Sequence, residues 1–281
     1  MPGNSGNKPP AWLWPNLLGL DAPAVAVSWQ VLFSCSFDAD FPAVLHLILG
    51  LSVWCIYLAD RLCDSVRAGE TAGVTDRLMF TRRNFKALAI ALAFAAGANL
   101  LLIARHVPGK LIVPGLLTAT LLAAYYLLRF MNGARFTAVI PREILCGMLY
   151  ALGCVIATNA CAPSGSTGAP FWFAAFLLGL VCSANCMLIS LWEHREDLAA
   201  CDRSIATTHP RILGTIAAAV SSLTVISLAA TPFLPWRICI SVALSALALR
   251  VILNRETRLP TPMLRVLADA ALLTPLAFLW G

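Results

Sequence analysis

Charge is what this chain has least of: only 12% of its 281 residues are Asp, Glu, Lys or Arg, against 59% hydrophobic, and the mean hydropathy is +0.80. A soluble domain carries about 25% charge to solvate its surface. A water-soluble globular class is therefore excluded. Cys-x-x-Cys pairs are also missing. Seven of the ten cysteines, Cys35, Cys55, Cys146, Cys154, Cys182, Cys186 and Cys239, fall inside apolar runs, which argues against a disulfide framework or a thiolate metal site. The four histidines, His46, His106, His194 and His209, have no metal-ligand spacing. The amino-terminal stretch has no compact apolar core with a small-residue cleavage site, so no segment is expected to be removed. No linker long enough to divide the chain occurs. The net charge of +6 is read through membrane sidedness, with no nucleic-acid partner expected.

Long apolar runs are what the chain does have. A crossing of ~30 Å of hydrocarbon takes about 20 apolar residues. Nine such spans are expected, at 22–37, 41–60, 86–105, 110–130, 140–160, 170–192, 211–231, 234–253 and 263–280. The first is short because Asp38 and Asp40 close it. Pro42, Pro141, Pro170, Pro210, Pro235 and Pro262 stand at or near span starts, where a missing amide proton costs least. The expected architecture is an all-α, polytopic nine-helix bundle forming one domain over 22–281. It is preceded by a segment, 1–21, that is interfacial (Trp12, Trp14, Pro15) or disordered.

The basic residues sort by side. Arg61, Arg67, Arg77, Arg82, Arg83 and Lys86 follow span two; Arg129, Arg135 and Arg142 follow span four; Arg195, Arg203 and Arg211 follow span six. Arg250, Arg255, Arg258 and Arg265 lie between spans eight and nine, and Lys8 falls on the same side. The other side keeps Arg105, Lys110 and Arg237. The positive-inside rule then puts the amino terminus and the four basic connections in the cytoplasm.

Two acidic clusters meet that face. Span two ends in Ser52-Val-Trp-Cys-Ile-Tyr-Leu-Ala-Asp60-Arg61-Leu-Cys-Asp64, which sets two carboxylates about one helical turn apart, near enough to share a divalent cation. Span six is followed by Trp192-Glu193-His194-Arg195-Glu196-Asp197, with Asp202 a further acid in the same stretch. Spans two and six point the same way, so both clusters reach one aqueous face. Carboxylates and arginines gathered there suit a metal-bridged diphosphate.

These motifs resemble the UbiA superfamily of intramembrane prenyltransferases, whose members have nine transmembrane helices and aspartate-rich motifs after helices two and six. Asp60 and Asp64 match the last two acids of the family's Asn-Asp-x-x-Asp-x-x-x-Asp pattern, and Ile56 and Tyr57 replace its Asn-Asp. Glu193, Glu196 and Asp197 fall in the place of the second motif. Pro141-Arg142-Glu143-Ile-Leu-Cys-Gly147 is similar to the opening of the family's fifth helix. Val74 to Arg83 stands where the family has an arginine- and proline-rich segment.

The resemblance implies transfer of an isoprenoid chain from a prenyl diphosphate to a lipophilic acceptor, an aromatic one foremost. It implies Asp60, Asp64, Glu193 and Asp197 as catalytic acids, holding Mg2+ together with Glu196. Arg142, Arg77, Arg82 and Arg83 would contact the diphosphate, and Tyr57, Tyr126 and Tyr150 would face the allylic cation at about 0.5–2 kcal/mol each. Two other classes stay open. One is a diverged, non-catalytic membrane protein of the same fold. The other is a transporter, for which acids at midplane depth and broken helices are the expected marks.

Overall fold

The computed structural model describes residues 9–67, 75–132, 141–194 and 213–279. Glu196, Asp197 and Asp202 lie outside them. Every regular element among the described residues is helical. In chain order they are α1 (Trp14–Leu18), α2 (Asp21–Ser36), α3 (Val44–Arg67), α4 (Asp76–Arg83), α5 (Phe85–His106), α6 (Gly109–Asn132), α7 (Arg142–Cys161), α8 (Ala169–Trp192), α9 (Leu213–Ala229), α10 (Trp236–Leu253) and α11 (Thr261–Ala270). Three-residue or five-residue 3-10 turns stand at Ala11–Leu13, Glu256–Arg258 and Thr274–Phe278.

Seven segments are long and apolar enough to cross a membrane, or eight if the bent pair Ala11–Leu18 and Asp21–Ser36 makes one crossing. Gly214–Ala229 is apolar but shorter. Each of the nine expected spans contains a helix, although three boundaries differ in ways that matter. Helix α3 continues to Arg67, so Asp60 and Asp64 lie within its last two turns and not beyond it. The last span is broken: α11 stops at Ala270 and a 3-10 turn carrying Pro275 follows. Arg265, counted by sequence with the basic residues between spans eight and nine although the expected last span contains it, lies in the second turn of α11.

The third difference precedes α2. Residues 11–18 run at 78° to α2 and are packed into the bundle, with Leu13 and Leu17 buried while Trp12 and Trp14 stay exposed. The turn between them is made by Gly19, held at φ 69°, a left-handed conformation that suits glycine because a Cβ there costs roughly 1 kcal/mol. Its N–H and that of Leu20 close back on Asn16 and Pro15 carbonyls at 3.1 and 2.8 Å. Helix α4 starts with Thr75, whose hydroxyl accepts from the Leu78 N–H, and carries Asp76 in its first turn and Arg82 and Arg83 in its last, as the helix dipole favours.

Helix α8 is the centre. Two thirds of its most apolar window is buried (67%), against 11% for α6, so α8 packs against helices and α6 turns its apolar residues outward, as a lipid-facing helix does. The outward set includes Phe94 on α5 and Val113, Leu116 and Leu117 on α6. Trp29, Phe33, Phe171, Leu178, Leu188, Ile238 and Leu249 fill the interior. The Trp29 indole donates to the Leu272 carbonyl at 2.9 Å, so the break after α11 has its freed acceptor satisfied by α2.

Helices α7 and α8 approach through glycine. A Cβ on Gly147 would collide with the Ser183 backbone, and one on Gly179 with the Met148 side chain. The Ser183 hydroxyl donates across the contact to the Ile144 carbonyl at 3.2 Å. In lipid such close contact replaces the hydrophobic drive that water supplies. Gly147→Val should therefore destabilise the protein by about 1–3 kcal/mol through backbone displacement. Gly153→Ala, whose Cβ meets nothing within 4 Å, should be neutral or stabilising. Thermal unfolding in detergent separates the two; equal effects would contradict the packing.

Candidate functional site: a charged pocket and its polar floor

A cavity of about 250 Å³ opens at the end of the bundle where α3 and α8 finish and α11 begins. Leu13, Asn16 and Leu17 form one wall, Thr75, Asp76 and Arg77 a second, and Glu193, Thr261, Pro262 and Arg265 the rest. Four segments far apart in sequence thus converge. The Arg265 guanidinium donates to the Glu193 carboxylate across the cavity, a charge-assisted hydrogen bond between α11 and the end of α8.

The charges here are mutually dependent. Burial opposes ionisation of Glu193, but the guanidiniums of Arg265 and Arg77 outweigh it and hold the carboxyl below its ordinary value. Arg142 acts on Glu193 in the same sense. Burial and the neighbouring Arg265 charge lower the proton affinity of Arg77, and Glu193, Asp64 and Asp60 pull it back. Both acids of the first cluster thus act on the same arginine as Glu193. Two guanidiniums in one cavity with a displaceable carboxylate can take an anion such as phosphate.

Below the cavity lies a second polar layer. Arg61 is buried and donates to the carbonyls of Leu17 and Asn16 at 2.8 and 2.6 Å. The Asn16 amide donates to Asp21 at 2.6 Å and to Asp269 at 3.5 Å. The Asn185 amide, on α8, donates to Asp269 at 3.0 Å. Tyr57 lies in the field of both Asp269 and Asp21.

The remaining residues singled out in the sequence sit elsewhere. Arg82 reaches the Ser65 carbonyl at 3.4 Å and ties α4 to α3, and Arg83 is exposed. Arg142 pairs with Glu143 at 3.2 Å. Tyr150 donates to the Ala22 carbonyl, and Tyr126 meets Tyr125 edge to face at 5.4 Å. None of these five lines the cavity. Conversely, sequence reasoning passed over Arg265, Asp269, Asp21, Arg61, Asn16 and Asn185. Asp269 was the one to find, since an acid within an apolar span is costly and therefore functional by default.

Among the described residues no three His, Cys, Asp or Glu side chains gather as a metal cage. Asp60 and Asp64 nonetheless form an oxygen-only pair one turn apart, which suits Mg2+, an ion that binds through one or two carboxylates and keeps its waters. No family model, curated protein or solved structure matches the chain. Its class rests on its own features: an all-helical chain built for multiple membrane crossings, with a charged pocket at one end.

The depressed Glu193 carboxyl has a pH consequence. A group whose folded value lies below its unfolded one contributes fully above the unfolded value, and that contribution is lost as pH falls through the folded value. Glu193→Gln should remove this acid-side loss and, by leaving Arg265 and Arg77 without their carboxylate, cost about 1–3 kcal/mol at neutral pH. Thermal melts from neutral into acid check both signs; parallel profiles for variant and wild type would contradict the pairing.

Proposed function

We propose that the chain is a UbiA-like intramembrane prenyltransferase that transfers an isoprenoid chain from a prenyl diphosphate to a lipophilic, foremost aromatic, acceptor. One observation carries this reading: Arg77, Arg265 and Glu193 meet in one pocket, and Asp60 and Asp64 act on the same Arg77. In this reading α9 and the bent amino-terminal pair are both crossings, which makes nine. The pocket and the amino terminus face the cytoplasm, as the basic connections require.

Arg77 and Arg265 bind diphosphate oxygens, and Glu193 releases Arg265 as the anion enters. Asp60, Asp64 and Glu193, with Glu196 and Asp197, are the residues that would hold Mg2+. When bound, the ion neutralises charge that develops on the leaving diphosphate. Tyr57, under the pocket, offers a π face to the departing allylic carbon. The surrounding helices keep water from it. Arg142 supports Glu193 through its charge, and Arg82, bonded to the Ser65 carbonyl, keeps α4 and its Arg77 in position.

A second reading, a transporter, is favoured by two specific observations: the helix broken by 78° before α2, and Asp269 within the last helix. Discontinuous helices with acids near them are what a transport site uses. A non-catalytic relative of the same fold is the remaining alternative.

Binding of a non-ionising prenyl thiodiphosphate to detergent-purified protein tests the enzyme reading. Saturable, Mg2+-dependent binding should be lost in Asp60→Asn/Asp64→Asn and weakened about tenfold or more, roughly 1.4 kcal/mol, in Arg77→Ala. No saturation up to ~1 mM, a standard free energy weaker than about −4 kcal/mol, overturns it. Solute flux into proteoliposomes without a chemical product would establish the transporter instead.

A further inference from the structure

The layer below the pocket contains a pair of acids that no salt bridge among the described residues neutralises. Asp21, at the start of α2, and Asp269, in the penultimate position of α11, are within hydrogen-bonding reach of each other. The two nearest guanidiniums bond elsewhere through their terminal nitrogens, Arg61 to the Asn16 and Leu17 carbonyls and Arg265 to Glu193, and Arg265 reaches Asp269 through its charge alone. The donors that do reach the acids are neutral: the Asn16 amide to both, the Asn185 amide to Asp269, and the Ala22 N–H to Asp21 at 3.0 Å. Counted from the helix ends at about 1.5 Å per residue, Asp269 is about 12 Å into α11 and Asn185 about 10 Å into α8. Water does not screen charge at that depth as it does at the surface.

Carboxylates within hydrogen-bonding reach of each other repel when both are ionised, and a proton held between them removes that repulsion. A second observation points the same way. Asn185 is 93% buried, from its 7% exposure, and its Oδ1 has no hydrogen-bond donor. A buried acceptor without a donor, beside two carboxyl groups, calls for a proton in this cluster. The pair faces Tyr57 and Arg61 from α3, Tyr150 from α7, Cys186 from α8 and Arg265 from its own helix. On α10 the basic residue nearest in sequence to this end, Arg250, is bonded to Asn254.

We propose that Asp21 and Asp269, cross-linked by Asn16 and backed by Asn185, bind one exchangeable proton at the floor of the pocket. Asn16 belongs to both, lining the cavity and bonding both acids. The site is therefore placed to accept a proton from a molecule bound above it or to couple proton movement to binding there. It stands whichever reading of the pocket holds.

Infrared spectroscopy of reconstituted protein in Na+-containing buffer tests it without reference to activity. Wild type at neutral pH should show a carboxylic-acid C=O band that shifts in D2O and disappears on alkaline titration. The band should be lost in Asp269→Asn and in Asp21→Asn alike, because each leaves a single carboxylate with its amide donors and no partner to share a proton. The wild-type titration stands by itself if a variant folds poorly. Absence of the band at neutral pH, its survival in both variants, or its appearance only when Na+ is withdrawn would overturn the proposal, the last by assigning the cluster to a metal ion. Loss of prenyl thiodiphosphate binding with the band intact would refute the enzyme reading and leave this site standing.

Discussion

The buried guanidinium of Arg61 holds the broken helix in place, and the pocket depends on it. Two strong donors on α3 grip the Asn16 and Leu17 carbonyls in the last turn of α1, where a helix runs short of its own donors. Trp54, two turns earlier on α3, takes the Leu18 carbonyl at 2.9 Å. The last three residues of α1 thus have their carbonyls satisfied from a single neighbouring helix. Irregular backbone at this depth is tolerated only where protein supplies such partners.

Everything in the pocket follows from that attachment. With α1 pinned, Leu13 and Leu17 close one wall, and the Asn16 side chain faces the two acids. Gly19 then turns the chain into α2, whose first residue is Asp21. The opposite wall depends on α11 starting at Thr261, which brings Arg265 one turn in and Asp269 a further turn deeper, on the same side of the helix. One helix so supplies an arginine to the upper layer and an acid to the lower one.

Much of this was legible in the sequence. Apolar runs and prolines located the helix starts to within a few residues, because an apolar run of membrane-crossing length marks each helix and a missing N–H is cheapest at a start. The i, i+4 spacing of Asp60 and Asp64 and the position of Glu193 pointed to the end of the bundle where the cavity opens. Arg77 and Glu193 do line one cavity. The break at Gly19 was hidden because Trp12, Trp14 and Pro15 read equally well as a surface segment, and the burial of Leu13 and Leu17 is a tertiary fact. Arg265 was passed over because it was counted only among the basic residues that set sidedness, although the expected span 263–280 contains it. Asp269 was passed over because one acid in an apolar run barely changes its average. Arg142, Tyr126 and Tyr150 have the right composition for a site, but their helix faces direct them to other partners.

Hydrogen–deuterium exchange of residues 11–20 in wild type and Arg61→Gln tests the dependence on Arg61 most directly. The two buried donors are predicted to protect this segment, so the variant should exchange there at least tenfold faster while α8 is unchanged. Equal protection of 11–20 in both proteins would contradict the account, since the break would then be held by something other than Arg61.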